Sequence, residues 1–255
     1  MDFRIVKPKH KLADHIQAIW SVKVAKGEHN AVTKPLYCDG GSGVTFLLQG
    51  EAKLDGATIK APFVVQPYSK KTQTIELTDN TWLCGIRFHP GMMPLSLHAG
   101  LSDPAFSNEE SRPHSSPITD LYTQLRSQSS HGAHLTALYR WCVQHAELNS
   151  PILTNRALLL NQTKQGKIGE QFQQHQRQIE RNFRKWIGMS PKYFQRLRRV
   201  HASVLALREN PDISLSDLAF HQGFSDQAHM TREFNTFVLA TPGEISQKIK
   251  SQSKG

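Results

Sequence analysis

Up to about residue 100, the apolar positions fall in short runs divided by turn formers. Residues 43–49 (GVTFLLQ) predict a strand closed by Gly50. Residues 52–54 and 57–59 predict a hairpin around Asp55-Gly56, because Asp-Gly accepts the positive φ angles of a tight two-residue turn. Residues 63–65, 74–77 and 82–88 continue the series. Short strands at this spacing predict an antiparallel sandwich or barrel.

The pattern then changes period. Residues 94–116 are irregular, rich in Pro, Ser, Gly and His. Residues 118–128 have helical spacing at Ile118, Leu121, Tyr122 and Leu125, and residues 135–148 have it too. Asn149-Ser150-Pro151 predicts a helix start or domain joint. Beyond it everything reads as helix: 152–161, 167–173, and 175–187 with Ile179, Phe183, Trp186 and Ile187 inward. Gly188 to Pro191 breaks the run, and Ser190-Pro191 suits an N-cap followed by Pro at the first helical position. A long helix follows to Glu209. Ser214 can cap 215–221, Ser225 can cap 226–238, and Thr241-Pro242-Gly243 opens a last short helix. The expected architecture is α+β in two domains. A β-rich, cupin-like barrel or sandwich with two helices spans 1–150, and an all-α domain spans 151–252.

Charge supports the division. The 255 residues carry a net +10, with a pI of about 9.6. Residues 1–150 hold 15 Lys+Arg against 13 Asp+Glu, whereas 151–255 hold 16 against 8. A near-neutral part joined to a basic part predicts different partners, with nucleic acid first for the basic one. The three cysteines are scattered and imply neither a disulfide framework nor a redox pair. No leader-like run opens the chain, and no apolar stretch reaches a membrane span. A soluble, cytoplasmic protein is expected.

Ile213 to Gly243 carries the most information. Two short helices flank Gly223, where the turn calls for a backbone conformation costly for any side chain. Leu218, Ala219, Phe224, Met230, Phe234 and Phe237 can form a small core, which leaves Gln227, Ala228, Thr231 and Arg232 opposite. Gln can bond adenine, Arg can bond guanine bidentately, and Thr and Ala can touch a thymine methyl. An ordinary helical hairpin with a solvated face is the plainer alternative. The 175–187 helix has the same plan, with Arg177, Gln178, Glu180 and Arg181 outward. The long helix between could hold two helix-turn-helix units about one DNA turn, roughly 34 Å, apart.

The text RQIERNFRKWIGMSPKYFQRLRRVHASVLAL and ISLSDLAFHQGFSDQAHMTREFNTFVLATPGEI resembles the DNA-binding domain of AraC/XylS-type transcription regulators. The resemblance covers the last hundred residues. It implies seven helices with two helix-turn-helix units, here at about 167–188 and 215–238, and a linker helix at about 191–209. It puts base reading on Gln176, Arg177, Glu180 and Arg181, and on Gln227, Ala228, Thr231 and Arg232. The first unit departs from the family: Glu170 to His175 contains no glycine before the reading helix. More weakly, Gly85 to Gly91 (GIRFHPG) resembles a segment of the β-rich sensing domain in one subgroup of the family. Such domains bind a small effector, dimerise, or both, and residues 118–148 are the candidates for dimerisation.

Arg184, Lys185, Lys192, Arg196, Arg198 and Arg199 are candidate phosphate contacts, of which about half are expected to touch DNA. Six would give a log-log salt slope near about −5. The thirteen His residues show no metal-ligand spacing, no acid–base set clusters, and no cofactor is expected. The resulting expectation is a sequence-specific, non-enzymatic regulator that binds double-stranded DNA and touches RNA polymerase, with a possible small-molecule effector and a possible homodimer, and no membrane. A barrel-type enzyme and a non-specific architectural DNA binder remain as alternatives.

Overall fold

A computed structural model describes residues 1–27, 31–66, 68–97, 116–164 and 176–252. Nine strands lie within them: β1 (Asp2–Val6), β2 (Ile16–Lys23), β3 (Val32–Leu36), β4 (Ser42–Gln49), β5 (Ala52–Leu54), β6 (Ala57–Thr58), β7 (Phe63–Gln66), β8 (Gln73–Leu77) and β9 (Trp82–Phe88). They form a five-stranded sheet in the order β1-β2-β9-β4-β7 and a four-stranded sheet in the order β3-β8-β5-β6. The pairings within the first sheet are antiparallel. The Asp55-Gly56 hairpin forms with φ of +50° and +82°, the geometry its sequence predicts.

The chain divides into two compact units. The first comprises Met1–Pro35, Gly41–Tyr68 and Thr74–Leu159. In it, α1 (Pro117–Arg126) and α2 (His131–His145) cover one face of the five-stranded sheet. Ser116 and Ser130 cap these helices through bonds accepted from Thr119 N and Ala133 N. Ile118, Leu121, Leu125, Leu138 and Trp141 pack against Ile19, Val44, Phe46, Ile86 and Phe88. A second core, with Val22, Leu83, Ala52, Ile75 and Leu77, lies between the two sheets and makes the unit a sandwich. The long helix α3 (Pro151–Lys164) is shared: Arg156 donates to Gly91 O at 3.3 Å in the first unit, and the second unit takes over at Leu160.

The GIRFHPG segment now has a structural account. Gly85 lies under Trp20, Phe88 is core, and Gly91 turns with φ +71° and offers its carbonyl to Arg156. Cys84 and Cys142 are fully buried and reduced, and burial pushes both thiols far up in pKa, so they fill space rather than react. Buried Cys38 donates to Ser69 O at 2.6 Å.

The second unit comprises Leu36–Gly40, Ser69–Gln73 and Leu160–Gly255. Its helices are α4 (Gln176–Ile187), α5 (Pro191–Glu209), α6 (Leu215–His221), α7 (Gln227–Phe237) and α8 (Pro242–Gln252). The predicted helix at 167–173, and with it the turn that lacks glycine, lies outside the described residues. Thr241 and Glu244 form a reciprocal capping box at α8, with Thr241 N donating to Glu244 Oε2 at 2.7 Å and Glu244 N to Thr241 Oγ1 at 3.2 Å. The two short early segments belong to this unit by contact. Thr72 donates from both N and Oγ1 to Phe237 O, at 2.9 and 2.8 Å. Tyr193 Oη donates to Lys70 O at 3.0 Å, and the Arg208 guanidinium lies over the Tyr37 ring.

Candidate nucleic-acid interface

The α6–α7 pair is a helix-turn-helix in detail. Ser214 accepts from Asp217 N to cap α6. Gly223 takes φ +71°, as the turn demands, and nothing lies within 4 Å of where its Cβ would be. The cap of α7 differs from expectation by one residue. Asp226, not Ser225, accepts from His229 N, at 2.6 Å. Both residue types suit the position, and the carboxylate gains from the positive end of the helix dipole. That bond first, then Ser225 and the nearby Arg232 and His229, hold the Asp226 carboxyl below its usual pKa.

Leu218, Ala219, Phe224, Met230, Phe234 and Phe237 are all buried, as their spacing predicts. Gln227, Ala228 and Arg232 are exposed and Thr231 is half-buried, so the four expected readers share the outward side of α7. Ser216 Oγ donates to Gln227 Oε1 at 3.3 Å, tying the first reader to the preceding helix. Two neighbours escaped the sequence reading. Asn235 is exposed and continues the stripe Ala228, Thr231, Arg232 by one turn. His229 is half-buried, with Nδ1 facing Ser225 N and Oγ and its ring edge-on to Phe224. The i, i+3, i+4, i+7 spacing could have found Asn235; no spacing rule would have found His229.

On α4, Ile179 and Phe183 are buried while Arg177 and Arg181 are exposed and Glu180 is half-buried. Gln176 opens the helix, and its side chain lies outside the described residues. Arg184, Lys185 and Lys192 are exposed and present charge to solvent.

Of the six basic candidates, Arg196 and Arg198 are less open than Arg184, Lys185 and Lys192. Arg198 is drawn inward; burial lowers its pKa and Asp39 partly offsets this. Arg196 Nε and Nη2 donate to Glu233 Oε2 and Oε1, both at 2.8 Å. Its guanidinium also lies over the Tyr193 and Phe237 rings. Arg196 therefore fastens α5 to α7. A partner 37 residues away gave no local signal. Arg199 is half-buried over the Phe224 ring.

Among the described residues, no group of three or more His, Cys, Asp or Glu is placed to hold a metal ion, and no helix is long and apolar enough to cross a membrane.

No curated protein matches the sequence. Among solved structures, the chain is similar to apo ToxT from Vibrio cholerae, at 10% identity over 98% of each chain with a TM-score of 0.44. It is also similar to the AraC-like transcriptional activator CuxR, at 12% identity over 99% of this chain and 86% of that one, TM-score 0.22. KdgF from Halomonas sp. matches 34% of this chain and 76% of its own, at 16% identity and a TM-score of 0.25. Residues 4–105 match a family described as a domain of unknown function, DUF6597. Residues 168–248 match a family described as a helix-turn-helix domain. Residues 168–248 are accordingly a helix-turn-helix domain.

Proposed function

We propose that this protein is a non-enzymatic, sequence-specific regulator that reads two successive major grooves with α4 and α7. The observation that carries the reading is the split of α7: Met230, Phe234 and Phe237 are buried, whereas Gln227, Ala228 and Arg232 are presented outward. A non-specific binder needs positive charge but no such set of base-edge partners. The 19-residue helix α5, about 28 Å long, is of the right order to span one DNA turn. Arg177, Glu180 and Arg181, with Gln176, serve the first half-site, and Arg184, Lys185 and Lys192 contact phosphates. The bound protein touches RNA polymerase, and the N-terminal unit binds a small effector, pairs two chains, or both.

Selection of bound duplexes from a random pool at fixed salt tests this. Two short conserved blocks with centres about 10 base pairs apart are expected. Equal recovery of all sequences would overturn the reading in favour of an architectural role.

A further inference from the structure

The second unit includes a short segment from the first half of the chain, Ser69–Gln73, which follows β7 in sequence. Its backbone is fastened residue by residue. Cys38 Sγ donates to Ser69 O at 2.6 Å, Tyr193 Oη donates to Lys70 O at 3.0 Å, and Ser69 Oγ donates to Lys71 O. Thr72 donates from N and Oγ1 to Phe237 O. The carbonyls of Ser69, Lys70 and Lys71 are therefore occupied, and the exposed residues of the segment are Lys70 and Lys71. Among the described residues, neither ammonium has a carboxylate partner. The Glu233 carboxylate, whose charge acts on Tyr193, is already held by Arg196.

The segment sits at a junction. Arg184 and Lys185 lie in the last turn of α4, and α5 begins three residues after α4 ends. Exposed Lys192, proposed above to contact phosphate, immediately precedes Tyr193 in the first turn of α5. Phe237 is the last residue of α7, and its ring meets the Tyr193 ring at 5.1 Å. Ser69–Gln73 is thus bonded to the start of α5 and to the end of α7. With α4 and α7 in successive major grooves, the duplex between them presents a minor groove and its flanking backbones on the same face. A cation at this junction has phosphates as its natural partners rather than base edges.

We propose that Lys70 and Lys71 contact DNA phosphates between the two half-sites, so that a segment far from the reading helices in sequence completes the DNA-binding surface. A compact ammonium on a flexible stem suits a contact that carries no sequence information. The pinned backbone holds both stems at one place. The inference rests on the DNA-binding reading above and adds to it contacts that none of the helices supplies. A plainer role for the two lysines is to offset the negative end of the α7 dipole, and the experiment separates the two.

The test uses the full chain, the duplex recovered by selection and a scrambled duplex of equal length, with binding isotherms from about 50 to 200 mM salt. Lys70→Gln combined with Lys71→Gln should weaken both duplexes by the same factor and make the log-log salt slope shallower by about 2. The parent's advantage over this variant should shrink about 10-fold across that salt range. Lys70→Arg combined with Lys71→Arg should restore affinity and slope, since the charge is kept. Lys26→Gln combined with Lys60→Gln removes the same charge from exposed positions of the first unit and should leave the slope unchanged. Should the Lys70 and Lys71 double variant fail to unfold cooperatively, each single Gln variant decides, with a slope change of about 1. Overturning results are an unchanged slope, an equal change in the Lys26 and Lys60 variant, or a lost preference between the duplexes with the slope intact, which would make the lysines supports of α7. A selected duplex bound with an unchanged slope removes only this contact. A slope change of about 2 without sequence preference keeps the contact and removes the sequence-specific reading. Binding of no duplex overturns both.

Discussion

Arg196 and Glu233 form a bidentate pair, two N–H···O bonds of 2.8 Å that join α5 to α7. The Glu233 side chain is only 9% exposed and that of Arg196 38%. Removing the guanidinium leaves a nearly buried carboxylate without its main partner. Arg196→Ala should cost about 1–3 kcal/mol, less than for a fully buried pair because the Arg side is open to solvent. Arg196 holds the Glu233 carboxyl below its usual pKa. The pair's contribution is therefore complete at neutral pH and is lost as pH falls through that lowered value. Denaturant titrations of both proteins from neutral to acid pH check this; curves that stay parallel would refute it.

Base reading and phosphate contact separate by experiment. Arg232→Ala should cost about 1–3 kcal/mol on the preferred duplex and relax preference at one base position. Arg184→Ala should weaken all duplexes alike and reduce the salt slope by about 1. Binding isotherms on the selected site and on scrambled DNA, at several salt concentrations, give both quantities.

His134 should make the first unit acid-sensitive. Its Nε2 faces Leu125 O at 3.1 Å and Gln128 O at 3.2 Å, and its side chain is fully buried. Burial lowers its pKa, outweighing the carbonyls that favour the charged ring. The unfolded chain thus takes up the proton first. Stability from the neutral ring is full above about pH 6.5 and declines as pH falls. His15, also lowered mainly by burial, adds in the same direction. Urea unfolding at about pH 7.5 and 5.5 should show a loss in the parent and a smaller one in His134→Gln.

Two glycines should respond to alanine for different reasons. At Gly85 the new Cβ would meet Val44 O at 2.4 Å and the Trp20 ring at 2.6 Å. Backbone must move, and a loss above about 2 kcal/mol is expected. At Gly223 there is open space, but φ is +71°. That change should cost only about 1 kcal/mol. Equal losses would show that one of the two accounts is wrong.

Thr72 caps the last carbonyl of α7 twice, from N and from Oγ1. Thr72→Val keeps the shape and the backbone donor but loses the hydroxyl bond, at about 1 kcal/mol. Faster hydrogen exchange confined to the final turn of α7 is the expected signature.

Periodicity located the elements with local signals. Ser116, Ser190, Ser214 and Thr241 cap helices where polar residues precede apolar repeats. The strands at 42–49 and 82–88 stand out as apolar runs. β1 does not, because it is an edge strand exposed at every residue. β2 hides because it contributes to two cores, Ile19 to one and Val22 to the other, which erases simple alternation. In the interface, the outward stripe of α7 was readable from helical geometry. The engagement of Arg196 was not, since its partner Glu233 is set by tertiary packing.

The dependence of α5 on Lys70 and the segment around Gly40, and of α7 on Thr72, has a consequence for portability. Gly40, at φ +76°, leaves only 3.0 Å between its would-be Cβ and Phe194, and these early segments count among the second unit's own residues. A fragment beginning at residue 160 would contain every side chain proposed to read bases and still lack part of its own scaffold, with the Phe237 carbonyl stripped of its cap. Transplanting the reading head onto another sensor would require carrying those two short segments along, so the domain is modular in sequence but not in space.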